Sequence, residues 1–266
     1  MNKIYIIGIG YKPLDKRARE IIYNSEIILA SKRLSEVFKG YEEYEAVKDK
    51  VKVINNVDVT IKFIHSSLVT RPSSFITLLA SGDPTFFGIG RRAVREFGKD
   101  AVEIIPDLSS IQIAFSRIKE SWDDAFLMSL HGGPDPEKRR RLPYELDDIP
   151  YLLQRHNKIL ILTDKENNPV DIARVIISTL NSQLSTLTMY VCEKLGYPDE
   201  KIIEGTPEEI AGIVFEMPNL VILIRNSLLS FPLVGNPSEL SESVKKDCGQ
   251  AAITDKIKFG LSEDEI

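Results

Sequence analysis

The chain has 266 residues and a formal net charge of −5, from 34 Lys and Arg against 39 Asp and Glu. Apolar residues make up 43% of it and charged residues 27%, which excludes a disordered, collagenous or low-complexity protein. The acidic balance argues against a protein that coats nucleic acid, since such surfaces are usually basic, so we expect no nucleic-acid partner.

The first half of the chain alternates short apolar runs with helical patterns. In the first predicted helix, Leu14, Ala18 and Ile22 recur near helical spacing. Residues 41–62 are mixed and polar, and their pattern does not place helices or strands there. Strands are predicted at residues 3–9, 26–30, 75–80 and 102–105, and helices at residues 14–24, 88–97 and 109–118.

The second half repeats this alternation after a segment rich in proline. Residues 131–150 contain four prolines and a basic run at residues 138–141, which is typical of a long loop or connection. Asn168 followed by proline marks one helix start, and Thr206 with Glu209 three residues later forms the capping box of another. Strands are predicted at residues 158–163, 187–192, 201–204 and 220–224.

Strand and helix alternation through both halves predicts an α/β protein. We place a boundary near residue 120, which gives two α/β domains at residues 1–120 and 121–229. Residues 230–266 are polar and rich in turn residues, so we interpret them as a peripheral tail.

The two cysteines, Cys192 and Cys248, are too few for a disulfide framework and lack the spacing of metal ligands, so we expect no metal site. Cys192 lies in an apolar run and is interpreted as a small core residue. The N-terminal apolar run is too short for a signal peptide, and no run reaches the ~18–20 residues of a membrane span. We expect a soluble, cytoplasmic protein.

The most informative segment is the turn at residues 81–90, Ser-Gly-Asp-Pro-Thr-Phe-Phe-Gly-Ile-Gly, which follows a predicted strand. Ligands of open α/β sheets bind outside the carboxyl ends of strands. Gly82 would let a ligand approach the backbone closely, and Asp83 could accept hydrogen bonds from a ribose diol or an ammonium group. The alternative is a plain turn in which Asp83 caps a helix that Pro84 begins, and spacing alone favours neither.

A second glycine pair, Gly8 and Gly10, also closes a predicted strand. It does not extend to the Gly-x-Gly-x-x-Gly pattern of dinucleotide-binding folds, because position 13 is Pro. By itself the pair is interpreted as turn glycines.

Three blocks, in this order along the chain, resemble the tetrapyrrole methylases, the methyltransferases of the cobalamin and sirohaem pathways. Residues 81–92 resemble the signature loop of the subgroup that methylates precorrin-6Y or cobalt-precorrin-7. Residues 104–117 resemble its Pro-Gly-x-Ser-Ser-x-Gln-x-Ala-Phe-x-Arg block, and residues 122–132 resemble its Trp-x-Asp-Ala and Ser-x-His-Gly block.

The chain departs from the family pattern at three places. One is Gly133, which replaces an expected Arg after His-Gly and removes one possible carboxylate contact. The family usually has Gly-Pro-Gly after its first glycine pair, where this chain has Tyr11-Lys12-Pro13 after Gly10, and we expect this change to shorten one wall of the cleft. Asp107 stands where the family has Gly. A positive φ at this position would suit Asp, which is among the few side chains that tolerate it.

The resemblance implies two α/β domains with S-adenosylmethionine in a cleft between them. It also implies an anionic precorrin substrate that is methylated at C5, and with it we expect a homodimer. The cofactor-binding positions that carry over from the family are Gly10, Ser81, Gly82, Asp83, Phe86, Ser109, Ser110, Thr163, Asp164 and Gly205.

Chemistry and charge suggest further site residues. A sulfonium methyl group is already activated, so the main task of the protein is orientation. His131 is the candidate for removing a proton afterwards, with a structural role in its turn as the alternative. Because the substrate carries carboxylates, Arg91, Arg92 and the basic run at residues 138–141 are candidates for binding it, with a solvated surface as the alternative.

Two other functions stay open. One is a family member that acts on a different substrate, and the other is a non-catalytic tetrapyrrole- or nucleotide-binding module. Residues 259–266 faintly resemble the junction at which a fused form continues into its decarboxylating C15 partner. This chain stops at that point, so we expect a separate decarboxylating C15-methyltransferase as a partner.

Overall fold

The computed structural model of the chain describes residues 3–70, 75–131, 143–180 and 186–225. These residues form two five-stranded sheets, one from strands before residue 106 and one from strands after residue 125, each with helices. The predicted α/β class is confirmed. The boundary near residue 120 stays a prediction, and the basic run at residues 138–141, Cys248 and the tail at residues 230–266 lie outside the described residues.

The first sheet is entirely parallel. Its strands are β1 (Lys3–Ile9), β2 (Ile27–Ala30), β3 (Val51–Val53), β4 (Phe75–Ser81) and β5 (Val102–Ile105). They lie in the order β3-β2-β4-β1-β5, so that β1 has β4 and β5 as its neighbours. The helices along this part of the chain are α1 (Lys16–Asn24), α2 (Lys32–Phe38), α3 (Tyr44–Val47), α4 (Val57–Thr70) and α5 (Gly90–Phe97).

Helices cover both faces of the first sheet, which explains why its central strands are continuous apolar runs. On one face Ile7 of β1 packs in a cluster with Ile22 of α1. On the other face Ile4 of β1 packs with Ile64 of α4. All four side chains are fully buried, so the two clusters hold the strand ends of this sheet in a fixed arrangement.

The second sheet is mixed. Its strands are β6 (Phe126–Ser129), β7 (Lys158–Leu162), β8 (Leu187–Glu193), β9 (Lys201–Gly205) and β10 (Asn219–Arg225). They lie in the order β6-β7-β10-β8-β9, with β6 parallel to β7 and the other pairs antiparallel. The helices along this part are α6 (Ser110–Ile118), α7 (Ile149–Leu153), α8 (Pro169–Leu180) and α9 (Pro207–Ile210).

Helix α6 precedes the second sheet in the chain but packs against it. Ile111 and Phe115 of α6 share one buried cluster with Leu160 of β7 and Ile222 of β10. The opposite face of the sheet packs against α7, α8 and α9 in a separate cluster. Because α6 directly follows β5, the carboxyl end of β5 is tied to the second sheet as well as to the first.

Most predicted elements are confirmed, with boundaries that shift by one or two residues. The capping box of Thr206 and Glu209 is confirmed, and Asn168 caps α8 by accepting the amides of Val170 and Asp171. The prediction of a long loop at residues 131–150 was wrong from residue 146 onward, where a 3₁₀ turn leads into α7. Pro150 fits there because it occupies the first turn of the helix, where no amide donor is needed.

We predict that Gly8→Ala destabilises the fold strongly. Gly8 lies in β1 opposite Ala80, and a Cβ atom on it would stand 1.8 Å from the Gly82 carbonyl oxygen and 2.5 Å from the Asp107 nitrogen. Three backbone segments would have to move apart, and overpacking of this kind costs roughly 1–3 kcal/mol or more. Urea denaturation measures the loss in the free energy of unfolding.

Gly212→Ala is the matched control, because the nearest atom to its Cβ would be 3.7 Å away, an ordinary van der Waals contact. It should leave the free energy of unfolding nearly unchanged. Equal stability of the Gly8→Ala and Gly212→Ala proteins would contradict the close approach described here.

Candidate functional site

A cleft of about 1550 Å³ lies where the ends of both sheets meet. In the first sheet it is bordered by the carboxyl ends of β1, β2 and β4 and by the start of α6. In the second sheet it is bordered by one end of four adjacent strands. The residues there, which pair across the strands, are Ser129, Leu162, Leu220 and Cys192. Ligand sites of α/β sheets lie at such strand ends, so this cleft is the candidate site.

The structure brings most of the predicted site residues to this cleft. They come from five separate segments of the chain, and strand ends or helix starts position each of them. The predicted residues that line the cleft are Gly10, Ser81, Gly82, Asp83, Phe86, Ser109, Ser110, His131 and Thr163.

Two predicted cofactor-binding residues do not line the cleft. Asp164 is buried, and its Oδ1 accepts the backbone amides of Glu166 at 3.0 Å and Asn167 at 2.9 Å, so the carboxylate shapes the turn after β7. Gly205 ends β9 at the sheet edge, where a Cβ atom would stand 2.9 Å from Oε2 of Glu209. Its small size serves the packing of the capping box that follows.

The two predicted substrate-binding arginines also lie outside the cleft lining. Both are on α5, beyond the glycine-rich turn. Arg92 forms ion pairs with Asp58 at 2.7 Å and with Glu96 at 3.7 Å, so α4 and α5 already neutralise its charge. Arg91 is exposed on the same helix. The alternative interpretation of a solvated helix face fits this arrangement.

The turn after β4 combines a glycine in the left-handed region with an available carboxylate. Gly82 has a φ of +57°, which favours glycine. Oδ1 of Asp83 accepts the Thr85 amide at 2.8 Å and the Thr85 hydroxyl at 2.7 Å. Within the described residues no hydrogen bond reaches Oδ2 of Asp83. The carboxylate therefore caps its own turn, not a helix, since α5 begins only at Gly90, and it keeps one oxygen for a ligand.

The two serines at the start of α6 have different roles. Ser109 is committed to the helix, because it forms a capping box with Gln112, whose Oε1 accepts the Ser109 amide at 2.8 Å. The Ser110 side chain is half-buried, and its hydroxyl has no hydrogen bond to other described residues. The Thr163 hydroxyl, like that of Ser109, is already used within the protein, since it donates to the Asn219 carbonyl at 2.6 Å.

A network around Asp107 holds the loop at residues 10–12. Oδ2 of the buried Asp107 accepts the amide of Tyr11 at 2.7 Å and that of Lys12 at 3.3 Å, and Oδ1 accepts the Leu108 amide at 2.7 Å. Asp107 is not among the residues with positive φ, so backbone conformation does not explain its presence. The sequence around Asp107 gives no sign of this role. The Tyr11 and Lys12 amides that it binds lie more than 90 residues away in the chain.

Tyr11 connects the first half of the chain to the loop after β8. Atoms of its ring stand 2.7 Å from where a Cβ atom on Gly196 would be, so no other residue fits at position 196 without a shift. Burial raises the pKa of Tyr11 to about 12, against an opposing effect of the Arg33 guanidinium. The phenol therefore stays protonated at neutral pH. Tyr11 lines the cleft as a neutral wall.

The loop after β8 is fixed from behind by Glu200. Its carboxylate accepts the Gly196 amide at 2.7 Å and pairs with Arg117 of α6 at 2.5 Å. Burial raises the pKa of Glu200, but Arg117 and the Gly196 amide outweigh it, and the net shift is downward. The loop presents Tyr197 to the opposite wall, where Nη1 of Arg33 donates to its hydroxyl at 2.9 Å.

Two further lining side chains have chemistry that bears on the site. Burial raises the pKa of the Cys192 thiol to about 12, so at neutral pH it is a protonated apolar wall and not a nucleophile. This confirms the interpretation of Cys192 as a core residue. His131 follows β6, is exposed to the cleft, and its backbone amide donates to the Ser129 hydroxyl at 3.3 Å.

Comparison with known proteins places this chain in a family. Residues 3–211 match the family model of the tetrapyrrole (corrin/porphyrin) methylases. Over 213 residues the chain is 29% identical to a probable cobalt-precorrin-7 C(5)-methyltransferase of Methanocaldococcus jannaschii, a match that covers 79% of this chain and 92% of that protein. A decarboxylating precorrin-6Y C(5,15)-methyltransferase of Sinorhizobium sp. is 35% identical over 135 residues, covering 51% of this chain and 29% of that enzyme.

Solved structures agree on the fold. A uroporphyrin-III C-methyltransferase from Thermus thermophilus, complexed with S-adenosylhomocysteine, superposes with a TM-score of 0.59 over 84% of this chain and 97% of that one, at 19% identity. No helix in the described part of this chain is long and apolar enough to cross a membrane. The chain belongs to the tetrapyrrole (corrin/porphyrin) methylase family, and it is an S-adenosylmethionine-dependent methyltransferase.

Proposed function

We propose that this methyltransferase acts in cobalamin biosynthesis and methylates C5 of an anionic corrin precursor, cobalt-precorrin-7 or precorrin-6Y. The observation that carries the proposal is the match to the M. jannaschii C5-methyltransferase, which extends over 92% of that protein. The size of the cleft supports it. Ordinary small-molecule pockets measure about 300–1,000 Å³, and this cleft, at about 1550 Å³, has room for a macrocycle beside a cofactor.

The residues present fit S-adenosylmethionine. Oδ2 of Asp83 is an acceptor for a ribose diol or an ammonium group, and the Ser110 hydroxyl, which also lines the cleft, adds a donor and acceptor. Gly10 leaves open space where a side chain would stand, since no atom lies within 4 Å of its Cβ position. Leu195 and Leu220 supply apolar walls. When bound, the cofactor supplies a methyl group already activated on a sulfonium.

The task left to the protein is to orient its two ligands and to exclude water. The walls that do so are held in place, because the Gly82 amide and carbonyl are both hydrogen-bonded and Asp107 accepts the Tyr11 amide. Positioning matters since a displacement of ~1 Å can cost about 10²-fold in rate. A strong base is not required, so we propose that His131 braces the turn after β6 and does not remove a proton.

The C5 and C15 reactions are proposed to belong to separate proteins. The Sinorhizobium relative is named for both methylations and for decarboxylation, and the match reaches 29% of it. The M. jannaschii relative is named for C5 alone. We propose that this chain performs the C5 methylation and that a separate decarboxylating C15-methyltransferase completes the pair.

We predict that Asp83→Asn weakens binding of S-adenosylhomocysteine by roughly 10- to 100-fold, because it removes a charge-assisted hydrogen bond at Oδ2. Asparagine keeps the Oδ1 acceptor that Thr85 needs, so the turn should stay intact. Isothermal titration calorimetry measures the change. Asp100→Asn, an exposed position outside the cleft, is the matched control. Unchanged affinity in a folded Asp83→Asn protein would remove Asp83 from the site.

We predict a single product when the chain is incubated with either precursor and with cofactor carrying an isotopically labelled methyl group. Mass spectrometry should show one added methyl, and NMR should place it on C5. No labelled or unlabelled CO₂ should be released. A methyl group on another ring carbon would overturn the proposed substrate position, and CO₂ release by the purified chain would overturn the division of labour.

We predict that His131→Asn lowers the melting temperature and leaves the pH profile of the surviving activity unchanged. A bracing residue affects the fold of its turn, whereas a base contributes an ionisation to the pH–rate profile. His156→Asn is a suitable comparison, because His156 stacks on Phe126 at 4.5 Å and lies outside the cleft. An ionisation that disappears in His131→Asn at unaltered melting temperature would show that His131 acts as a base.

A further inference from the structure

We propose that Lys32 and Arg33, at the start of α2, bind side-chain carboxylates of the substrate. The inference rests on the proposed function, since a corrin precursor is a polycarboxylate. It replaces the expectation that Arg91 and Arg92 do so. Among the described residues that line the cleft, Lys32 and Arg33 are the two with permanently charged cationic side chains.

The charges of these two residues are not neutralised by any carboxylate in the described part of the chain. Within the described residues neither forms an ion pair with a carboxylate. The two described carboxylates that line the cleft have other roles. Glu36 pairs with Lys39 at 2.8 Å, and Asp83 lies in the turn proposed to hold the cofactor. Arg92, in contrast, has two carboxylate partners. The part of the cleft next to α2 therefore carries two positive charges that no described carboxylate pairs, and these attract an anion.

The guanidinium of Arg33 is oriented from across the cleft. Nη1 donates to the Tyr197 hydroxyl at 2.9 Å, and this contact joins residues 164 positions apart. The contact occupies one edge of the fork and leaves Nε and Nη2 without a hydrogen bond to other described residues. Two parallel donors of this kind match the two oxygens of a carboxylate. Tyr197 is thereby a positioning residue for Arg33.

The backbone that carries the pair is also fixed. The Ser31 hydroxyl accepts the Leu34 amide at 3.3 Å and caps α2. The Lys32 amide donates to Oδ1 of Asn55 at 2.7 Å, which ties the helix start to the segment after β3. Both side chains are exposed, so they can exchange water for a ligand at low cost. The backbone at the start of α2 is therefore held in place before a ligand binds, while the Lys32 and Arg33 side chains stay accessible to it.

Binding of a stable corrin polycarboxylate tests the inference. The probe is cobyrinic acid in its dicyano form, and dicyanocobinamide, in which amides replace the carboxylates, is its uncharged counterpart. Absorbance titrations would compare the unmodified chain with Arg33→Ala, Arg33→Lys, Lys32→Ala and Tyr197→Phe. Arg95→Ala is the matched control, because Arg95 is an exposed arginine outside the cleft. Calorimetry with S-adenosylhomocysteine measures cofactor binding separately.

Arg33→Ala should weaken cobyrinic acid binding by roughly 10-fold or more, since a charge-assisted bidentate contact is lost. Lysine at position 33 should restore part of the affinity, and Tyr197→Phe should lose a few-fold through poorer orientation. Lys32→Ala should lose a few-fold as well. The differences should shrink at high salt, and affinity for cobinamide and for S-adenosylhomocysteine should not change.

The outcomes separate this inference from the proposed function. Cobyrinic acid binding that is tight in the unmodified chain and equally tight in Arg33→Ala would overturn the carboxylate site and leave the proposed function standing. Failure of the unmodified chain to bind cobyrinic acid, while it binds S-adenosylhomocysteine, would overturn the proposed substrate and the site with it. An equal loss in Arg95→Ala would show a general charge effect and would also overturn the site.

Discussion

The cleft depends on one buried carboxylate. Asp107 follows β5, and its two oxygens accept three backbone amides, two of which belong to the loop after β1. Its own amide donates to the Gly82 carbonyl at 3.2 Å, in the turn after β4. Three adjacent strand ends are thus joined through a single residue. Buried carboxylates are tolerated when hydrogen bonds replace their hydration, and here the replacement also defines the wall of the site.

This constraint is passed to the second sheet through Tyr11 and Gly196. Because Asp107 fixes the Tyr11 amide, the phenol ring lies against Gly196, where no side chain would fit. Glu200 holds the same loop from the α6 side, with Arg117 as its partner. The two walls of the cleft therefore meet through packed and hydrogen-bonded groups. Rigid walls are what an enzyme needs when its contribution is orientation and not acid–base chemistry.

The sequence predicts features that are local in the chain and fails for those that join distant segments. Strands such as β1 and β4 are continuous apolar runs, and the start of α6 carries its own capping box, so both are readable from a short window. The contact of Arg33 with Tyr197 spans 164 positions and has no local signal. The assignments of Asp164 and Gly205 came from the resemblance alone, and turn geometry, not sequence spacing, decides that these residues lie outside the cleft.

Two of the three departures from the family pattern are the two ends of one network. Asp107 and the loop at residues 10–12 differ from the family together, and in the structure they hydrogen-bond to each other. A glycine at position 107 would leave the Tyr11 amide without its acceptor, at a cost of about 1–3 kcal/mol for a buried donor. Asp107 therefore keeps the loop at residues 10–12 ordered without the family's glycine and proline. In the proposed function, the cleft lined by this ordered loop offers the acceptor of Asp83 to a cationic cofactor and the donors of Arg33 to an anionic substrate. Lining side chains of opposite charge orient the two ligands before any bond changes.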